Sequence, residues 1–383
     1  MQVVVLMNKK LTGRYFALWL FAMVVFAGPV KALQVSDLYE AEVPVAGQDA
    51  AQRAEAISHA LVQVLVKVTG HRGIGSRSEL APELRNASRY VQQYRYRLLD
   101  TPAAELAPAA GEETAEAVPA EPQRMLQVSF DSAAVNGMLR GLGLPVWGEN
   151  RPGGLVWIGI EQNGKRQLLN PDADNGELSE RIATGARSRG LPVIFPLMDL
   201  EDQANMGVAD LWGDFESTIR NASQRYSPDL IMTGKLMRIA QGHWRSSWRL
   251  YHGDQVSSWE DQASDKESLT ETAMQRVADL LSERFAPLGA DFSMNRVRIR
   301  VDGVVDLQDY ASLGRFFQSQ SAVEKVELIA VEPDAMTYDL HTRGGTQVLQ
   351  QGLDLGGLLI AAKSATPLDL SVEQGIDLYY RLR

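Results

Sequence analysis

The chain contains no cysteine. That excludes disulfides, thiolate nucleophiles and zinc sites built on sulfur. Histidine is scarce: there are five, His59, His71, His243, His252 and His341. None stands in an H-x-x-x-H or H-E-x-x-H pair, so a zincin-type helix is excluded. No G-x-S-x-G nucleophile elbow occurs either. Positive charge is in deficit: 38 Lys and Arg against 48 Asp and Glu give −10 over 383 residues. Such a chain is a poor partner for nucleic acid or an anionic lipid surface. Beyond residue 32 no apolar run approaches the roughly 20 residues that a membrane span needs. No long internal repeat is visible.

The N-terminus holds the one strong apolar run. Lys9, Lys10 and Arg14 form a basic n-region, and "YFALWLFAMVVFAG" has the length of a signal-peptide h-region. Pro29 breaks it, and Val30 and Ala32 occupy the small-residue positions of a cleavage site. Residues 1–32 are therefore expected to be a signal peptide cut near Ala32, with a retained anchor helix as the alternative. With no cysteine after the h-region, lipoprotein processing is not expected. Export would remove four positive charges (Lys9, Lys10, Arg14, Lys31) and take the net charge from −10 to about −14. The expected address is the periplasm, with no membrane span after cleavage.

Three α/β segments follow. Residues 33–148 read β-α-β-β-α-β. "SDLYEAEVPV" alternates as a strand. The next stretch is a helix N-capped by Asp49, with Ala50, Ala54, Ile57, Leu61, Val64 and Val68 recurring on one face. A short helix at 79–88 and the strand "YVQQYRYRLL" come next. Residues 101–122 are an Ala/Glu/Pro insert with little to bury, expected to be an overgrown and disordered hairpin loop. "RMLQVSF", a helix at 132–142 and "LPVWG" as the last strand complete the segment. Residues 153–288 read as strand "GLVWIGIEQ", helix 178–189, strand "LPVIFPLMD", helix 213–225, strand "SPDLIMTGKLMRI", a β-meander turning at "HGDQ", and a long helix at 268–285. Residues 293–383 are again β-α-β-β-α-β. The helix at 306–319 buries Leu313, Phe316 and Phe317, and a hairpin turns at 332–335. The predicted class is α/β and α+β in three small domains. The first and third are ferredoxin-like, and the middle is a mixed sheet with a β-meander. This architecture hosts many functions and predicts none of them.

The motifs favour bland readings. "VTGHRGIGSRS" spaces Gly70 and Gly75 like a phosphate-binding loop, but Ser76 holds the lysine position and a helix, not a strand, precedes it. Phosphate would meet the negative end of that helix. Gly70 reads instead as a left-handed helix cap. His71, Arg72 and Arg77 then either satisfy the helix end or offer a basic spot to a partner. "NPDADNGE" at 170–177 hints at a calcium loop, but Asn175 stands where glycine is required and Arg181 where the bidentate acid belongs. A solvated turn is expected. "TGK" at 233–235 lacks the upstream glycine of a nucleotide loop. In the meander, Trp244 and Trp248 share one face and Trp259 lies across the hairpin. A covered sheet face is the leading reading, and an exposed aromatic platform for a peptide or glycan is the alternative. No cofactor or metal is predicted.

"LYEAEVPVAGQDAAQRAEAISHALVQVLVKVTGHR" followed by "YVQQYRYR" resembles the opening of the proteobacterial exported proteins of domain of unknown function 2066. "DLIMTGKL" and "GHWRSSWRLYHGD" extend the resemblance. It implies an exported Gram-negative protein without assigned catalytic residues. In outline the middle segment is similar to the N-terminal domain of the periplasmic translocation protein TolB and to curli-secretion assembly proteins. The first is similar to the N-terminal domain of the flagellar assembly protein T. The leading expectation is a non-enzymatic periplasmic protein that binds envelope proteins. A small-ligand or glycan binder using the tryptophan meander comes second, and a hydrolase third. Sequence gives neither the partner nor the oligomeric state.

Overall fold

The computed structural model describes residues 35, 37–98, 124–172, 176–239, 242–286, 294–320, 322–343, 345–362 and 375–383. The expected signal peptide and the 101–122 insert lie outside the described residues. Leu33–Arg383 cluster as one compact body. Within it three sheets each carry a core, so the α/β class and its three-sheet arrangement hold. We call the three parts lobes.

The first lobe contains β1 (Glu40–Val45), α1 (Ala50–Thr69), α2 (Ala81–Arg85), β2 (Val91–Leu98), β3 (Arg124–Phe130) and α3 (Ser132–Gly141). Its sheet is antiparallel in the order β1-β3-β2. Asp49 caps α1 by accepting from the Ala51 and Gln52 amides. The predicted stripe faces inward from Ile57 on: Ile57, Leu61, Val64 and Val68 are buried with Val43, Leu126 and Val128, whereas Ala50 and Ala54 in the first turns are exposed. The expected helix at 79–88 is shorter, because Pro82 fixes its first turn and Asn86 ends it between 3₁₀ turns.

The fourth strand expected at "LPVWG" does not form; these residues are in no strand. Pro145 has no N–H to give a ladder. The chain leaves the first lobe here: the Trp147 amide donates to Val68 O at 2.7 Å, and its ring joins the middle core. The first lobe is therefore βαββα.

The middle lobe contains β4 (Gly154–Gln162), β5 (Lys165–Leu168), α4 (Glu177–Arg187), β6 (Val193–Ile194), α5 (Leu200–Asn205), α6 (Val208–Trp212), α7 (Glu216–Ser223), β7 (Leu230–Arg238), β8 (Trp244–His252), β9 (Gln255–Ala263) and α8 (Lys266–Phe285). The order is β5-β4-β7-β8-β9, with β6 also beside β4. β4 runs parallel to β6 and β7, and the meander is antiparallel. α4 and α8 share a core with Ile158, Met232, Trp248 and Leu250. α6 and α7 share another with Trp157, Ile231 and Tyr251 on the opposite sheet face. The strand expected across "LPVIFPLMD" shrinks to two residues, bounded by Pro192 and Pro196.

The third lobe contains β10 (Asn295–Asp302), α9 (Leu307–Ser319), β11 (Val323–Val331), β12 (Ala335–Thr342), α10 (Gly345–Leu355), β13 (Leu359–Ala361) and β14 (Leu378–Leu382). The order is β11-β12-β10-β14-β13. The expected βαββαβ succession is there, with one addition. β14 lies parallel to β10, and β13 is a short edge strand antiparallel to β14.

Candidate functional site

The basic stretch lies at the seam between the first two lobes. α1 ends because Gly70 takes a left-handed turn, φ 75°, and its amide donates back to Val66 O. Glycine is needed here twice. A β-carbon on Gly70 would stand 2.6 Å from Ser282 Cβ and 2.8 Å from Trp147 Cε3. Gly70→Ala is expected to cost about 1–3 kcal/mol, from the left-handed backbone and the forced shift of Trp147. Urea unfolding measures it.

His71 and Arg72 reach across to α8. His71 Nε2 lies 2.7 Å from the Ala286 carbonyl, so it carries the ring proton. Arg72 pairs with Asp279 at the surface. Arg77 does not join them: it bonds Glu79, two residues along, at 2.6 Å.

The strongest residues of the seam, Arg151 and Arg189, escaped the sequence reading. Both side chains are buried. Arg151 faces no carboxylate; it donates only to carbonyls. Nε reaches Gly148 O at 3.0 Å. One terminal nitrogen reaches Arg189 O and Gly190 O at 3.1 Å. The other reaches Lys67 O at 2.6 Å and Trp147 O at 2.7 Å. The guanidinium also stacks 4.2 Å from the Trp147 ring. Burial pushes its pKa down to about 9, against the opposing pull of Tyr39, so it stays charged at neutral pH. Arg189 donates to Gly70 O at 2.6 Å and to Asp279 Oδ1 at 2.7 Å, and holds Gln275. Together the two arginines tie the C-terminal end of α1, the connection at 147–151, the Gly190 turn and α8 into one clasp. The cations in it, Arg72 included, are held by backbone carbonyls or neighbouring side chains.

Phe285, the last residue of α8, stacks on Trp147 with centroids 5.8 Å apart. His252, at the end of β8, lies 6.1 Å from the Phe285 ring, and its Nδ1 is 2.9 Å from an Arg284 nitrogen. Burial, reinforced by the Arg284 charge, lowers the His252 pKa below its ordinary 6.5. The unfolded chain therefore takes up this proton first as pH falls. His252 costs no stability above about 6.5, and stability declines below that until folded His252 also protonates. Urea midpoints at several pH values should show this decline, and His252→Asn should flatten it.

The aromatic platform is overturned. Trp244, Trp248 and Trp259 are buried at 8%, 0% and 7% exposure, inside the core shared with α4 and α8. The amphipathic α8 covers them, which the apolar positions recurring along 268–285 could have signalled. Trp248 needs Gly234 of "TGK" directly opposite. A β-carbon there would stand 2.1 Å from Trp248 Cζ3. The neighbouring Lys235 is consumed by Asp214 at 2.7 Å, which also meets Arg249 at 3.1 Å. "TGK" is thus a packing motif.

At the hinted calcium loop, Asn170 Oδ1 accepts from the Asp172 amide, a local turn; residues 173–175 lie outside the described residues. Among the described residues no group of three or more His, Asp or Glu is placed to hold a metal ion. Among them, too, no helix is long and apolar enough to cross a membrane.

What remains open is surface. On the first sheet, Glu40, Gln93, Arg95, Gln127 and Ser129 line a shallow polar cavity. Arg95 Nε donates to Gln127 Oε1 at 2.8 Å, and Gln127 Nε2 to Glu40 Oε2 at 3.4 Å.

Residues 32–148 match the family described as "Domain of unknown function (DUF8605)". The first lobe is thus similar to an uncharacterised domain, under a different family number from the one its opening stretch resembles. No curated protein matches the chain. Among solved structures the chain is similar to the N-terminal domain of Protein Y from Thermus thermophilus, at 9% identity over 34% of this chain and 93% of that one, TM-score 0.18. It is also similar to the LpoB C-terminal domain from Salmonella enterica, at 14% identity over 30% and 83%, TM-score 0.22. A third is lipoprotein GNA1162 from Neisseria meningitidis, at 16% identity over 34% and 97%, TM-score 0.21.

Proposed function

We propose that the protein is exported to the periplasm of a Gram-negative cell and acts there, without catalysis, by binding envelope proteins during assembly. One observation carries the reading. The clasp of Arg151 and Arg189 makes the first two lobes a rigid carrier, while the first sheet keeps a polar face open around Arg95 and Gln127. A rigid body with an uncovered sheet face presents a preorganised surface to a partner. The leader-like segment at 1–32 supports the address, and the motif-poor chemistry of the chain agrees with a binding role. Kinship with domain of unknown function 2066 belongs to the same proposal.

Fractionation of the native host and crosslinking in intact cells test it. The expected result is periplasmic recovery and capture of a small, reproducible set of envelope proteins. Cytoplasmic recovery, or capture of abundant bulk proteins alone, contradicts it.

A further inference from the structure

We infer that the free edge of β11 seats a second copy of this chain, joining two third lobes through a continuous sheet. The inference stands apart from the partner proposed above and uses a different lobe. β11 ends the sheet order, and among the described residues it pairs only with β12. Edge strands are usually kept short, charged or covered, because their unpaired backbone recruits other strands. This one exposes Leu328, Ile329 and Val331. Val305, Leu307 and Tyr310 add to the patch, so six of the fifteen large apolar side chains exposed among the described residues fall between 305 and 331. They are brought together by the fold. α9 packs along β11, and the Gly303 and Val304 amides donate to Asp334 O in the turn that follows β11.

Charge selects the occupant. Across an antiparallel pair, directly opposed residues share a sheet face, and like charges there are unfavourable. The run from Lys325 to Leu328 is in even register with β12, between two irregularities. A two-fold pairing centred on Lys325 or on Glu327 sets like charges against each other at the axis. Centred on Leu328, it sets Glu327 against Ile329 and Lys325 against Val331. Centred on Val326, it sets Lys325 of each copy against Glu327 of the other. Lys325 and Glu327 already pair within the strand at 2.5 Å, and His341 approaches Glu327 at 3.3 Å. The dimer would turn that pair into a crossed quartet. Val326 would meet its counterpart on the axis, and Leu328 would stand opposite Glu324 of the other copy, whose charge Arg343 already holds at 2.6 Å. Such a self-complementary patch is what a closed two-fold interface requires.

Analytical ultracentrifugation of the chain recovered from its host, over about 1 to 100 µM, tests the inference. The expected result is a reversible dimer. Lys325→Glu and Glu327→Lys, each placing two like-charge pairs across the axis, should each weaken it by about tenfold or more. The double variant K325E/E327K should restore the affinity to within about threefold. Hydrogen exchange at 325–328 should be slow in the dimer and fast in either single variant, while circular dichroism stays unchanged. A wild-type chain that remains monomeric throughout overturns the inference. So does a dimer indifferent to the single reversals, or a double variant as monomeric as the singles.

Discussion

Arg151→Ala is expected to destabilise the protein by about 3–5 kcal/mol. The side chain is fully enclosed and answers five carbonyls, those of Lys67, Trp147, Gly148, Arg189 and Gly190. Truncation removes every donor at once and leaves a cavity against the Trp147 ring. Three of the acceptors lie outside the connection itself, on α1 and on the turn after α4. The loss should therefore appear as uncoupling as well as weakening. Calorimetry of the wild type should show the first and middle lobes melting together, and the variant should separate them. Arg151→Lys keeps the charge but cannot fork, so it should fall between. A change below about 1 kcal/mol, with melting still concerted, would mean that the clasp is incidental.

Trp248→Ala is expected to cost about 3–5 kcal/mol, the range for emptying a fully buried indole site. The ring lies over Gly234 and opposite Trp259, with α4 and α8 in the same core. Nothing small can collapse into the space, because Gly234 carries no side chain. Urea unfolding followed by the fluorescence of the remaining tryptophans measures the loss. The same burial predicts that cell-wall fragments leave the wild-type fluorescence unchanged. Quenching by such fragments, together with a variant of near-normal stability, would restore the platform reading.

The periodic elements were legible in the sequence, and the connections were not. The α1 stripe, its Asp49 cap and its Gly70 stop follow from spacing and side-chain chemistry. So do the meander turn at "HGDQ" and the hairpin at 332–335. "LPVWG" failed because an alternating apolar run cannot reveal which core it enters, and Trp147 belongs to the next lobe. The short helices α5 and α6 lack a repeat long enough to register, and were missed. Arg151 and Arg189 were invisible for a related reason. A lone arginine in a Gly/Pro-rich connection reads as solvated, and only long-range folding supplies its carbonyl partners. The tryptophans were placed on the correct strand face. Whether that face was covered depended on α8 packing over it, which the amphipathic pattern of 268–285 favoured.

Photo-crosslinking from single exposed positions tests the binding account most directly. A photoreactive residue would replace Gln93 on the open face of the first sheet, and in separate chains Gln262 in β9 and Thr184 on α4, each expressed in the native host. The account predicts discrete, reproducible adducts with one or a few envelope proteins from Gln93, weakened by Arg95→Glu and differing from those at the other two positions. No adduct from Gln93, or the same smear of abundant proteins from all three, would contradict it.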